Sequence, residues 1–337
     1  MRFLVGLLTV VATLGVGGCG GDGGSAGALT VYSGREEELV APLFERFEQE
    51  TGMKVEVRYG DSAELAATIA EEGENSPAGV FFAQDPGSLG AVAKEGLLEV
   101  LPAKILGRVP ARYRDDAGMW VGTSGRVRVV AYNTDALSDD EVPDSIFGLT
   151  DPKWKGKIGV APTNASFQAF VSAMRLTVGD EKTRAWLAAL RRNDPKTYEK
   201  NTPIVEAVAA GEIELGLVNH YYLYLVKEEQ PDAPVANHFL APGDPGALVS
   251  VAGAGVLAGS NEKREAERLV EFLLSEAGQR FYVDKAEETE YPLVPGIAPK
   301  AGLPPLDSLE GPAVDLGELG GELESTLELL RETGYLS

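Results

Sequence analysis

Strand-like and helix-like segments alternate from residue 29 onward, and this alternation constrains the fold more than any other feature of the chain. Leu29–Ser33 is predicted to be a buried strand, and further strands at 53–59 and 79–83 are followed by helices at 62–72 and about 87–94. The helix after the first strand is predicted from apolar residues that share one face: Leu39, Val40, Leu43, Phe44 and Phe47. Because strands that alternate with helices pack as a parallel sheet, we expect an α/β fold.

A second set of strands and helices is predicted between about 130 and 245. It opens with a strand at 127–133 and includes helices at 166–178 and 183–190, with Trp186 facing inward. A chain of 337 residues has room for about two domains. Two α/β units are therefore expected.

The amino terminus has the pattern of an export signal over residues 1–18, with Arg2 followed by a short apolar run and small residues. The run Val16-Gly17-Gly18-Cys19 resembles a bacterial lipobox, in which Cys19 would be lipidated; the alternative is a plain signal with an incidental cysteine. Residues 20–28 are rich in glycine and serine and are predicted to be a tether. The mature protein is expected to be exported and lipid-anchored to the outer face of the cytoplasmic membrane, periplasmic or at the cell surface.

The net charge limits the partners. The chain has 30 Lys and Arg against 52 Asp and Glu, a formal charge of −22. Because like charges repel, nucleic acid and anionic lipid surfaces are not expected partners. No segment after the signal has 18 continuous apolar residues, so membrane contact is expected only through the lipid on Cys19. Cys19 is the single cysteine, which excludes an intrachain disulfide.

Two adjacent tyrosines lie between a strand at 213–218 and a helical pattern at 223–229. Asn219 is predicted to be the helix N-cap, which places Tyr221 and Tyr222 in a first turn that favours negative charge. A free phenol has a pKa of about 10, but two phenols beside a trivalent metal could lose their protons and become anionic oxygen ligands. The alternative is that the two rings are half-buried packing residues.

A candidate anion site follows the strand near 158–161. The segment Pro162–Ser166 presents hydroxyls, an amide and free N–H groups at a helix N-terminus, which suits an anion but also an ordinary helix cap. Along Ser124–Tyr132, which leads into the strand at 127–133, alternation puts Arg126 and Arg128 on one face with Tyr132. Two arginines there need an anionic partner if the strand is buried, and none if it is a solvated edge strand.

Arg35 is predicted to lie in the first turn of the first helix, after a capping-box pattern of Ser33 and Glu36. A cation is disfavoured at that end of a helix, which hints at a function. A surface ion pair with Glu38 is an equally simple explanation.

Enzyme motifs are scarce, and we expect the protein not to be an enzyme. His220 and His238 are the only histidines, and neither has a partner at zinc-ligand spacing. No Walker-type loop is present, and Gly253-Ala254-Gly255 lacks the third glycine of a dinucleotide motif. A transferase or hydrolase would need a base–nucleophile pair, and the sequence offers none.

Taken in order along the chain, several motifs resemble the ferric-ion-binding solute receptors of ABC importers, sometimes called bacterial transferrins. The resemblance covers nearly the whole mature chain. The motifs are Val31-Tyr-Ser-Gly34, Phe44-Glu-Arg-Phe-Glu-Gln-Glu-Thr-Gly52, Ser124-Gly-Arg126, Pro152-Lys-Trp-Lys-Gly-Lys157, Asn219-His-Tyr-Tyr222, Gly243-Asp-Pro-Gly246 and Glu290-Tyr-Pro-Leu293.

This resemblance implies a two-lobed periplasmic-binding-protein fold of type II, hinged by crossing strands near 124–130 and 246–252. The N-lobe would comprise 29–127 plus 249–300, and the C-lobe 128–248 plus 301–337. The implied partners are an ABC permease and its ATPase, with ferric iron as the transported ligand and the receptor a monomer.

The resemblance also implies a site. Iron would be held by Tyr221 and Tyr222, with carbonate or phosphate as a synergistic anion. By position, the anion would be bound by Thr163, Asn164, Ala165, Ser166 and Asn201, helped by Arg126 or Arg128.

The sequence departs from the family's known sites at three positions. Arg35 stands where one subgroup has histidine, Gln84 where it has glutamate, and Asn164 where another subgroup has a third tyrosine. Arg35 fits an arginine-bearing subgroup and could hold the anion by a bidentate contact. Arg35 and Gln84 are therefore further candidates for metal or anion contact, and the third protein ligand stays open. The alternative function is a receptor for an oxyanion or a small organic solute, built on the same arginines and the 163–166 loop.

Overall fold

The computed structural model of the protein describes residues 28–284 and 289–337. The predicted export signal, Cys19 and the tether up to residue 27 lie outside the described residues. Within the described ranges, none of the helices combines the length and apolarity needed to span a bilayer.

The described residues form ten strands and eleven α-helices. The strands are β1 (Leu29–Ser33), β2 (Val55–Tyr59), β3 (Val80–Ala83), β4 (Val121–Asn133), β5 (Ile158–Val160), β6 (Lys196–Thr197), β7 (Leu215–Asn219), β8 (Val235–His238), β9 (Val249–Val256) and β10 (Tyr291–Pro292). The helices are α1 (Glu37–Thr51), α2 (Ser62–Glu72), α3 (Pro86–Lys94), α4 (Ala103–Leu106), α5 (Ala165–Val178), α6 (Asp180–Arg192), α7 (Asn201–Ala209), α8 (Tyr222–Glu229), α9 (Lys263–Leu273), α10 (Glu276–Asp284) and α11 (Leu323–Glu332).

The strands are hydrogen-bonded in the order β2-β1-β3-β9-β4-β7-β5-β6, and β8 and β10 also pair with β4. On one side β1 runs parallel to β2 and β3, and on the other β5 runs parallel to β6 and β7. The α/β prediction is confirmed. The antiparallel strands β4 and β9 lie between the two parallel groups.

Strand β4 belongs to both groups. Its register with β9 ends at Val127, opposite Val249, and its register with β7 begins at Arg128, opposite Asn219. Every residue of β4 is buried. The possibility of a solvated edge strand at 127–133 is therefore wrong, because this strand has neighbours on both sides.

Each group of strands has its own aromatic packing. Phe47 packs against Phe272 of α9 with ring centroids 5.4 Å apart, beside the first group. Phe170 packs edge-on against Trp186 at 5.7 Å, beside the second. The inward orientation of Trp186 is confirmed: it is 2% exposed, and its Nε1 donates to the Ile146 carbonyl at 2.9 Å.

The carboxy-terminal stretch contacts both groups. Residues 316–320 pack against α3, where a Cβ on Gly90 would lie 2.1 Å from the Gly317 carbonyl oxygen. Only glycine at residue 90 allows that approach. Helix α11 packs against α5, with the Ser172 and Thr326 hydroxyls 2.8 Å apart.

Candidate functional site

The adjacent tyrosines lie where β7 ends and α8 begins. Tyr221 is buried and Tyr222 half-buried, and their ring centroids are 4.3 Å apart at an interplanar angle of 31°. Asn219 is not the helix N-cap, because it is the last residue of β7 and pairs with Arg128 in the sheet. Tyr221 occupies the N-cap position and Tyr222 the first helical position, so the pair does lie at a helix N-terminus.

In the absence of a cation, the buried phenol is protonated. Burial raises the pKa of Tyr221 well above its usual value, and the adjacent Tyr222 phenol raises it further, whereas the Arg126 guanidinium lowers it. Tyr221 therefore becomes anionic at neutral pH only if a bound cation displaces its proton.

Arg128 lies buried beside the two phenols. Its Nη1 donates to Ser166 Oγ at 3.2 Å and to Asn201 Oδ1 at 3.4 Å, and its Nη2 donates to the Leu217 carbonyl at 2.8 Å. Burial lowers its pKa to about 10, while Tyr222 and Tyr221 act in the opposite direction. Arg128 thus keeps its charge at pH 7, and no carboxylate of residues 28–284 and 289–337 forms an ion pair with it. A buried guanidinium without a carboxylate is a favourable place for an anion.

The segment 163–166 joins Arg128 in one hydrogen-bonded cluster. Asn164 caps α5 by accepting from the Ser166 N–H at 3.0 Å, so the ordinary helix cap is present. Its Oδ1 also accepts from Asn201 Nδ2 at 3.1 Å. Thr163 and Ala165 are exposed beside this cluster. The structure therefore brings Asn164, Ser166, Asn201 and Arg128 together.

Arg35 differs from both sequence-based explanations. It precedes α1, which begins at Glu37, and it is 1% exposed. Ser33 does not cap the helix; its Oγ accepts from the Arg35 N–H at 3.2 Å instead. The proposed surface ion pair with Glu38 is wrong, because Arg35 Nη1 lies 3.1 Å from Oε2 of the buried Glu290.

Glu290 links Arg35 to Arg126 and was not predicted as a functional residue. Its Oε1 lies 3.6 Å from Arg126 Nε, and the same arginine donates through Nη2 to the Gln84 carbonyl. Although burial alone would raise the pKa of the Glu290 carboxyl, Arg35 and Arg126 hold it below its ordinary value. Arg35 and Arg126 both contact the Glu290 carboxylate, which joins them in one buried cluster. In the sequence, Glu290 is marked by the motif Glu290-Tyr-Pro-Leu293, which does not by itself predict a role for the carboxylate.

Gln84 contacts the cluster of Arg35, Arg126 and Glu290 through its main chain. Its N–H donates to Ser62 Oγ at 2.9 Å, and its carbonyl accepts from Arg126. It is half-buried.

Among the described residues there is no cluster of three or more His, Cys, Asp or Glu side chains that could hold a metal ion. His220 is fully buried, and burial lowers its pKa to about 4, so it is neutral at pH 7. The phenol oxygens of Tyr221 and Tyr222 are hard donors of the type that suits a highly charged cation.

A family model of bacterial extracellular solute-binding proteins matches residues 75–306, and the chain belongs to this family. The Fe(3+)-binding periplasmic protein of Serratia marcescens is 33% identical over 310 residues, covering 91% of this chain and 90% of the relative. The major ferric iron-binding protein of Neisseria gonorrhoeae is 36% identical over 313 residues, covering 91% and 92%.

Solved structures agree with these sequence matches. Iron-bound HitA from Pseudomonas aeruginosa superposes with a TM-score of 0.82 at 34% identity, covering 91% of this chain and 99% of that chain. The Trichodesmium protein IdiA (FutA), in complex with iron and citrate ligands, has a TM-score of 0.82 at 29% identity, covering 92% and 100%. The expected two-lobed type II fold is confirmed, and the chain is an extracytoplasmic binding protein of a transport family.

Proposed function

We propose that this protein binds ferric iron through the phenolates of Tyr221 and Tyr222 together with an anion, and delivers it to an ABC permease driven by its ATPase. The observation that carries this proposal is the stacked tyrosine pair at a helix N-terminus beside Arg128, a buried cation that pairs with no carboxylate of the described residues. Relatives named for ferric iron binding support the same ligand.

The charge balance explains why the proposed iron site includes an anion as well as the two phenols. Ferric ion is small and hard and prefers oxygen donors. Two phenolates leave one of its three positive charges uncompensated, and a dianion such as carbonate would make the centre singly negative. Arg128 is placed to offset that last charge. Each phenol must lose a proton on binding, so iron uptake is coupled to proton release.

The anion, carbonate or phosphate, is proposed to lie against Arg128, Ser166 and Asn201, with Asn164, Thr163 and Ala165 at the start of α5. Backbone N–H groups at a helix start favour anions. Arg35 is proposed to act indirectly, because Glu290 already engages its guanidinium. Gln84 acts by holding Arg126 through its carbonyl.

We also propose that one lobe comprises 29–127 plus 249–300 and the other 128–248 plus 301–337. The two lobes close over this site, and the receptor acts as a monomer. The change of partners in β4 between Val127 and Arg128 supports a hinge there. The Arg128 N–H donates to the Leu248 carbonyl at 2.9 Å, which ties the second crossing segment to the same point.

Purified protein titrated with ferric citrate is expected to turn red or violet, because phenolate-to-iron charge transfer absorbs visible light. The band should saturate at one iron per protein. A colourless sample would instead favour the alternative function, a receptor for an oxyanion or small organic solute that uses Arg126, Arg128 and the 163–166 loop.

The same titration tests the anion when it is run with bicarbonate, with phosphate, and with neither. Wild-type protein is expected to bind iron at least about tenfold more tightly with the preferred anion, and Arg128→Gln is expected to lose that dependence. Equal affinity under all three conditions, in both proteins, would remove the anion from the proposal.

The lipid anchor rests on Cys19 alone. Wild-type protein is expected to fractionate with membranes and to incorporate labelled fatty acid, whereas Cys19→Ala should be released into the soluble fraction. Soluble wild-type protein without label would show that residue 19 is an incidental cysteine.

A further inference from the structure

Helix capping does not orient the side chains of the tyrosine pair. Tyr221 is the N-cap residue of α8, and no side chain caps that end. Two phenols that must meet one metal ion need a defined orientation, since groups that orient metal ligands affect affinity strongly. The residue immediately before the pair, His220, supplies contacts that could provide it.

His220 binds the crossing strand with both its main chain and its side chain. Its N–H donates to the Val127 carbonyl at 2.9 Å, and the Val127 N–H donates to His220 Nδ1 at 3.2 Å. Val127 is the last residue of β4 in register with β9. His220 therefore satisfies both main-chain groups of Val127 at the point where β4 passes from one group of strands to the other.

Three further contacts hold His220 in place. Asn237 of β8 donates through Nδ2 to the His220 carbonyl at 2.7 Å. The imidazole lies edge-on to the Tyr221 ring at 5.9 Å and packs on Tyr291 of β10 at 4.9 Å. Since β10 pairs with β4 at Ser124 and Gly125, the ring bridges the ligand tyrosine and the strands around the crossing.

We propose that His220 is a positioning residue that couples the iron-binding tyrosines to the crossing strand. This inference rests on the iron-binding function proposed above. The hydrogen bond to Nδ1 fixes the orientation of the imidazole. The imidazole in turn fixes the orientation of the Tyr221 ring, which stacks on Tyr222. Movement of β4 at the crossing is thereby transmitted to the phenol pair.

The test compares His220→Leu, which removes the ring acceptor, with His220→Asn, whose amide oxygen lies near the position of Nδ1. His220→Leu is expected to bind ferric iron about 10- to 100-fold more weakly in competition with citrate, with a shifted charge-transfer band. His220→Asn should recover part of the affinity and of the band shift, because it keeps an acceptor for the Val127 N–H but not the ring contacts to Tyr221 and Tyr291. His238→Asn is the matched control, since His238 is also buried but contacts Asp139 instead, and it should leave both unchanged.

Wild-type affinity and band in His220→Leu would overturn the proposal, and so would equal losses in the leucine and asparagine variants. If the leucine variant does not fold, His220→Gln replaces it, because glutamine places its oxygen near Nε2 rather than Nδ1. Equal behaviour of the glutamine and asparagine variants would then overturn it. The absence of a charge-transfer band in the wild-type protein would contradict the iron-binding function itself, and this outcome is distinct from those that concern His220.

Discussion

Replacing both Tyr221 and Tyr222 by phenylalanine is expected to abolish ferric iron binding and its visible band while leaving the protein folded. The change removes two oxygen atoms and keeps both rings, which pack against each other at 4.3 Å. No other cluster of metal-binding side chains among the described residues can take their place. Calorimetry and absorbance titration measure the loss, and circular dichroism checks the fold.

Proton release makes this test quantitative. If both phenols bind as phenolates, the wild-type affinity should rise by about a hundredfold per pH unit below neutrality at constant activity of free iron, and by about tenfold in either single variant. Tyr224→Phe is the matched control, because Tyr224 lies on the same helix and faces Lys300. A double variant that still binds iron with wild-type affinity would disprove the tyrosinate site.

Glu290→Gln is expected to cause a large loss of stability. The substitution removes the charge that Arg35 and Arg126 both contact, and breaking a buried ion pair in this way costs about 3–5 kcal/mol. Denaturant unfolding of the metal-free protein measures the effect. The control Glu318→Gln breaks an exposed pair with Lys94 and should change the free energy of unfolding by about 0.5 kcal/mol or less.

The stability difference between wild type and Glu290→Gln is expected to depend on pH. Because the folded-state pKa of Glu290 is lowered, its ionised form stabilises the protein above the unfolded-state pKa, and that contribution is lost as pH falls through the folded-state pKa. The difference between wild type and Glu290→Gln should therefore be full at pH 7 and shrink in acid. A difference no larger than that of Glu318→Gln at pH 7 would mean that the buried cluster tolerates a neutral partner.

Local patterns predicted the elements of the fold well. The strand at Leu29–Ser33 and the inward Trp186 follow from hydrophobic periodicity, which depends only on neighbours in sequence. The same periodicity put Arg126 and Arg128 on one face of β4 but could not show that the strand is central. Burial of a strand depends on partners that come from distant parts of the chain.

The errors at the site have the same origin. Arg35 and Glu290 are separated by 255 positions, and no local pattern connects them. Ser33 and Asn219 both have side chains suited to helix capping, yet each is the last residue of its strand, and the helix begins later. Competition between a strand end and a helix start is decided by tertiary packing, which capping preferences do not include.

Because β4 pairs with both groups of strands, the protein is difficult to divide into two independent halves. A strand that pairs with both groups cannot be assigned to one group without leaving the other with unsatisfied backbone groups in its interior. Neither half could then be excised as a self-sufficient module, and evolution could exchange surface loops far more readily than it could exchange a whole half.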